Sequence, residues 1–292
     1  MPSKRVIANI ILYQGMAVQS IGFERYLPIG KPEVAARFLS EWGADEIVLL
    51  DIEASIQGRT IDPDVVERTA AGCFVPLAVG GGLQNVEQMQ TMLRHGADKI
   101  VVNTAIHKDR AALRAAIDVL GSQCLVASID VRKQDNSWEA YVANGKNKIA
   151  LSLSQIVKQV VDNGFGELMI NSIDRDGRQN GYDLDLIDAV GKELPIPLIC
   201  VGGAGHPNHM IEAISMPCVS AVAAANFLHY QEHSIAVIKG LMREKGIDIR
   251  HGSQADYRES VHDERARISK IDDCTLDSGV FEYLPDEKYD LL

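Results

Sequence analysis

Apolar and polar positions alternate between two periods along this chain. Short apolar runs at 6–12, 46–51, 77–79, 99–102, 124–130, 167–171, 198–201 and 220–223 read as buried strands. Between them, segments at 32–42, 63–71, 86–94, 110–120, 153–163, 184–190, 208–214 and 234–245 carry apolar residues at helical spacing. Eight strand–helix units in about 250 residues is the arithmetic of an α/β chain folded as a (β/α)8 TIM barrel. A doubly wound open sheet is the alternative. Residues 131–150 interrupt the alternation and read as a hairpin excursion turning near Asn144-Gly145.

The two halves echo each other at an offset of about 121 residues. Leu49-Leu50-Asp51 corresponds to Ile170-Asn171-Ser172, and the run at 99–104 to that at 220–225. Two apolar runs end in glycine loops, Val79-Gly80-Gly81-Gly82 and Val201-Gly202-Gly203-Ala204-Gly205, each followed by a helical segment. Such loops let backbone N–H groups approach an anion, and the next helix adds partial positive charge. The repeat predicts two similar half-barrels, each with a phosphate site. The bland alternative is that the glycines only make tight turns.

The C-terminal segment differs. Residues 1–250 are expected to form the barrel, and residues 251–292 an acidic extension with 11 acidic and 5 basic side chains. Its apolar spots, Val280-Phe281, Tyr283-Leu284 and Leu291-Leu292, suit either a partly ordered tail or a docking segment. Little helical periodicity shows there beyond residues 264–267.

Composition narrows the class. The chain is 46% hydrophobic and 24% charged, with no apolar run of membrane-spanning length. A net charge of −11 argues against a nucleic-acid binder. Five cysteines without metal spacing predict buried free thiols in a reducing cytoplasm, and no metal or cofactor is expected.

In a barrel of this kind, chemistry sits at the C-terminal ends of the strands. Those ends hold Asp51, Gly82, Asn103, Thr104, Asp130, Asn171, Ser172, Asp176, Gly177, Gly203, Ala224 and Ala225. Gly82, Asn103 and Thr104 would hold one phosphate. Asp176, Gly177, Gly203, Ala224 and Ala225 would frame a second across the mouth.

Val79-Gly80-Gly81-Gly82, Asn103-Thr104-Ala105, Ser172-Ile173-Asp174-Arg175-Asp176-Gly177 and Gly181-Tyr182-Asp183 make the chain resemble the cyclase subunit of imidazole glycerol phosphate synthase. The similarity runs from residue 4 to about 250, and the run from Ser172 to Asp183 favours the cyclase over the sister isomerase of histidine biosynthesis. The resemblance implies a lyase-type synthase subunit of a glutamine amidotransferase. A glutaminase partner docks on the barrel floor, and its ammonia rises through the interior to a bis-phosphorylated substrate at the mouth. It also implies an ammonia gate at Arg5, Glu46, Lys99 and Glu167, and a docking residue at Asp98. Two cations and two anions can neutralise one another there. The alternative is a set of ion pairs that merely closes the barrel.

The resemblance weakens at the mouth. The family's general acid and base are two aspartates, one matching Asp130. The other position is Ile11, which can neither accept nor donate a proton, and losing such a group typically costs about 10²–10⁴-fold. A phosphate-contacting lysine of the family is Gln19 here, and a serine is Ala225. These departures favour a paralogue of the kind encoded with surface-polysaccharide genes, passing ammonia to a separate ATP-dependent amidotransferase that amidinates a sugar. Two alternatives are a histidine-pathway cyclase, with Tyr13 or Asp51 replacing the lost aspartate, and a non-catalytic phosphate-ligand-binding activator of the glutaminase.

Overall fold

Eight parallel strands close on themselves in this computed structural model. It describes residues 3–250 except 136 and 232, together with 262, 263, 268 and 269. In chain order the strands are β1 (Arg5–Tyr13), β2 (Met16–Ile21), β3 (Arg25–Gly30), β4 (Glu46–Asp51), β5 (Leu77–Gly80), β6 (Lys99–Val102), β7 (Leu125–Gln134), β8 (Ser137–Val142), β9 (Asn147–Lys148), β10 (Glu167–Ser172), β11 (Leu198–Val201) and β12 (Val219–Ala224). The helices are α1 (Pro32–Glu41), α2 (Pro63–Ala71), α3 (Val86–Arg94), α4 (Arg110–Leu120), α5 (Leu153–Asn163), α6 (Leu184–Gly191), α7 (Pro207–Ser215) and α8 (Ser234–Glu244).

Strand β1 pairs in parallel with both β4 and β12. The ring continues through β5, β6, β7, β10 and β11, so no barrel strand keeps an open edge. The expected open-sheet alternative is thereby excluded. Each helix covers the outside with one apolar stripe; α4, for example, buries Leu113, Ala116 and Ile117. Local sequence starts several helices: Asp62, Asn85, Asp109 and Asp183 accept backbone N–H bonds at their N-termini, and Ser152 with Gln155 forms a reciprocal capping box on α5.

Two excursions leave the barrel. The loop after β1 is a hairpin, β2–β3, that the hydrophobic pattern does not predict. The excursion after β7 has two turns rather than one: β7 returns as β8 after Asp135, and β8 meets β9 across Ala143-Asn144-Gly145, all at positive φ.

Cys200 is buried as expected, whereas Cys73, Cys124 and Cys218 are half-buried; all four are free thiols. No helix among the described residues is long and apolar enough to cross a membrane. The apolar spots of the C-terminal segment and residues 264–267 lie outside the described residues. His262 is described; its Nδ1 lies 3.1 Å from Glu244 Oε1 on α8.

Candidate functional site

The floor of the barrel is built first, because its residues start strands. Arg5, Glu46, Lys99 and Glu167 open β1, β4, β6 and β10 and point inward. Their ion pairs form a closed ring. Arg5 Nη1 lies 2.9 Å from Glu46 Oε2 and 3.2 Å from Glu167 Oε1, and Lys99 Nζ lies 2.8 Å and 3.2 Å from the same two oxygens. Glu46 is only 2% exposed, and its Oε1 has no partner. Burial pushes the Glu46 carboxyl above the ordinary carboxylate range, with Lys99 the largest opposing influence. Asp98, next to Lys99, accepts the Leu77 N–H at 2.8 Å, so one of its oxygens caps the start of β5.

Directly above the ring the interior is apolar. Ile7, Val48, Val101, Val126, Met169 and Ile199, with alanines on the remaining positions, form a cluster distinct from the packing between strands and helices. This lumen opens into a cavity of about 130 Å³ at the mouth, lined by Asn9, Ile11, Asp51, Asn103, Asp130 and Asn171 among others.

Asp130 is half-buried there. Asn103 Nδ2 donates to its Oδ2 at 3.0 Å, and Asn171 Nδ2 to its Oδ1 at 3.1 Å. Burial pushes its carboxyl up to about 7, although both amides favour the charged form. Asp176 lines the same cavity and is pushed up to about 6, also chiefly by burial. Two carboxyls poised near neutrality in one cavity can give up or take a proton at physiological pH. Ile11 faces them from β1, between Val18 of β2 and Leu50 of β4.

The expected phosphate residues fall into two groups. Gly82, Asn103, Thr104, Asp176 and Ala225 line the cavity together; Gly177, Gly203 and Ala224 do not. A Cβ on Gly82 would overlap the carbonyl of Arg59, and one on Gly203 the carbonyl of Gly181; both sit at positive φ. Each glycine loop is thus pressed against the preceding loop of its own half-barrel, an echo of the internal repeat. Gly177 packs against the β2–β3 hairpin. Ser20 Oγ donates to Asp176 Oδ2 at 2.7 Å, Gly22 N donates to Asp176 O at 3.0 Å, and Asn226 donates to and accepts from the Ser20 backbone. The hairpin tip therefore occupies ground that the sequence assigns to the second phosphate.

Tyr13 and Asp51 are already engaged. Tyr13 stacks on Tyr26 with ring centroids 4.8 Å apart, and Asp51 Oδ2 lies 2.6 Å from Arg59 Nη1. In the Gly181-Tyr182-Asp183 motif, Tyr182 donates to Ala223 O at 2.9 Å, while Asp183 caps α6 and accepts from Trp138. Sequence reasoning placed Asn171 at a strand end without giving it a role, and missed Asn9 and Ser128 as mouth residues. Their inward direction on β1, β7 and β10 was the available signal.

The site thus joins a closed parallel (β/α)8 barrel to a charged ring at its floor and to carboxyls and glycine loops at its mouth. Comparison with known proteins gives the family. The model of the family described as Histidine biosynthesis protein matches residues 5–234. The chain is 39% identical to imidazole glycerol phosphate synthase subunit HisF of Streptococcus mutans serotype c over 251 residues, 86% of this chain and all of that protein. It is 38% identical to subunit HisF of Bacillus cereus over the same shares. The chain belongs to this histidine biosynthesis family and is a relative of the barrel subunit of imidazole glycerol phosphate synthase.

Proposed function

We infer that this chain is an ammonia-delivering barrel subunit of a glutamine amidotransferase whose own cyclase chemistry is lost or altered. A glutaminase docks on the floor, with Asp98 at the contact. Its ammonia enters through the ring of Arg5, Glu46, Lys99 and Glu167 and rises through the lumen. It leaves at the mouth for another acceptor, such as the sugar amidinated by a separate ATP-dependent amidotransferase.

One observation carries this reading: a four-charge ring sits directly beneath an apolar lumen that opens at the mouth. Neutral ammonia loses little on entering such a lumen, whereas ammonium loses its hydration and is held back. The ring excludes water and ions until Lys99 moves aside. At the other end Ile11 supplies no proton-transfer group, which suits delivery better than cyclisation. A phosphorylated ligand bound at Gly82, Asn103 and Thr104 fits either as the acceptor or as the signal that activates the glutaminase.

Asp130 and Asp176 favour a second reading, the histidine-pathway cyclase itself. Both carboxyls are raised toward neutrality in one cavity, so Asp176 is a candidate for the role that position 11 cannot fill.

The test mixes the purified chain with a glutaminase subunit of the family and follows glutamine hydrolysis and ammonia escaping to bulk. Stimulated hydrolysis, with greater escape from Lys99→Ala, is expected. Coupling unchanged in that variant contradicts delivery through the floor.

A further inference from the structure

The two half-barrels do not match at the mouth. At the offset between them, Asn103, Thr104 and Lys108 correspond to Ala224, Ala225 and His229. Lys108 and His229 hold the same structural place. Each directly follows the short 3-10 turn after its strand, Thr104–His107 after β6 and Asn226–Leu228 after β12. The first half therefore has an amide, a hydroxyl and an ammonium where the second has two methyl groups and an imidazole. That imidazole is half-buried, and burial pushes it down to about 4, so it carries no charge near neutral pH.

The charges of the cavity divide the same way. Among the described residues Lys108 is the one lysine or arginine in its lining, and its Nζ has no hydrogen-bond or ion-pair partner. The carboxyls of the lining are Asp51, Asp130 and Asp176, and Asp51 is paired with Arg59. Arg178, a cation that acts on Asp176, does not line the cavity. Strand β5, the neighbour of β6, runs into the loop of Gly82 and Leu83, whose N–H groups have no acceptor among the described residues. A free ammonium and unpartnered loop N–H groups around one corner of a cavity suit a phosphate.

Across the mouth the ground is filled. Asp176 and Asn226 hold the β2–β3 hairpin there, and a Cβ on Gly177 would overlap the Ser20 carbonyl. A second phosphate arriving on that side would meet the carboxyls of Asp130 and Asp176 and no cation of the lining.

We propose that the mouth selects a ligand with a single phosphate, held by Lys108 and the Gly82 and Leu83 N–H groups, and that the hairpin excludes a phosphate at the ligand's other end. The rest of the ligand faces Asp130 and Asp176 and is uncharged and rich in hydroxyl donors, as in a sugar monophosphate. Lys108 sets this specificity. The inference rests on the reading that the mouth holds a phosphorylated ligand, and it does not depend on ammonia delivery.

Backbone amide resonances of the full chain test it during titration with ribose 5-phosphate and, separately, ribulose 1,5-bisphosphate. Ribose, and sodium chloride at matching ionic strength, are the controls. Ribose 5-phosphate should shift Gly82 and Leu83 saturably, beyond either control. The bisphosphate should bind no more tightly and leave Gly203 and Ala204 unmoved. Lys108 is exposed, so Lys108→Ala leaves the core intact; it should weaken ribose 5-phosphate about tenfold, the loss of one charge-assisted contact. Tighter binding of the bisphosphate, shifts at Gly203 and Ala204, no saturable shift at Gly82, or unchanged affinity in Lys108→Ala overturns the single-phosphate mouth. Ammonia delivery stands or falls separately, on glutamine hydrolysis and ammonia escape with Lys99→Ala.

Discussion

Lys99 Nζ lies 2.8 Å from Glu46 Oε2, and the other oxygen of Glu46 has no partner. The lysine is therefore a main reason that a nearly inaccessible carboxylate can stay ionised. Removing it leaves Arg5 as the remaining cation beside Glu46. Lys99→Ala is expected to cost roughly 1–3 kcal/mol near neutral pH, below the usual range for breaking a buried pair because Arg5 remains. The folded-state pKa of Glu46, already raised, rises further. A raised acid favours the folded state at low pH and loses that advantage as pH rises toward its folded value. The cost should therefore shrink in mildly acidic solution. Urea unfolding of both proteins at the two pH values checks it, and an equal cost at both contradicts it.

Asp130 gives a second dependence of the same sign. Its carboxyl titrates at about 7 when folded, against 3.8 ordinarily, so the folded protein binds the proton more tightly than the unfolded chain. Stability should fall as pH rises between those values. Asp130→Asn has no charge to bury. It should resemble the parent protein below that window and exceed it above, by up to about 4 kcal/mol. Denaturant midpoints across the window decide the matter; parallel curves would show that burial does not govern this carboxyl.

The latch of the β2–β3 hairpin rests on Asp176. Asp176→Ala removes the acceptor for Ser20 Oγ and for the Phe23 N–H. Amide hydrogen exchange across residues 16–30 should quicken about tenfold, the equivalent of one lost hydrogen bond, with little change in β4 or β5. Unchanged exchange would mean that Asn226, the Gly22–Asp176 backbone bond and the pairing with β1 hold the hairpin without this carboxylate.

Ile11→Asp places a further carboxyl in the cavity that Asp130 already shares with Asp176. Like charges in one enclosed space cannot both ionise readily. The pair should titrate in two steps, the upper one above the single value of Asp130 today. Carboxyl NMR titration reads this directly, and an unmoved titration would show that the two side chains do not sense each other.

How much of this was legible beforehand follows from the distance over which each feature is determined. Strand β6 and helix α4 fall where the pattern puts them, since a few consecutive side chains fix their periods. The barrel order followed from the count of units and the echo between halves. The β2–β3 hairpin did not, because its anchors are Asp176 and Asn226, over 150 residues away, and its turn needs Phe23 at positive φ. At the floor, Arg5, Glu46, Lys99 and Glu167 were nameable from the resemblance, but the closure of their ring is visible only in three dimensions. Asn171 read as a strand-end residue and Asn9 as an inward-facing one, but that both line one cavity above an apolar lumen is visible only in three dimensions. Gly203 and Gly177 illustrate the reverse: both sit in phosphate-loop sequence, yet their neighbours are the chain's own backbone.

The central claim is that the mouth delivers ammonia and no longer performs the family's cyclisation. The direct measurement is ammonia-dependent turnover of the bis-phosphorylated ribulosyl-imidazole-carboxamide precursor by the purified, folded chain without any glutaminase. The account predicts no turnover above background, with ammonium salts saturating. Turnover at the rate of a subunit HisF from the relatives would contradict it and return Asp130, paired with Asp176, to the histidine pathway.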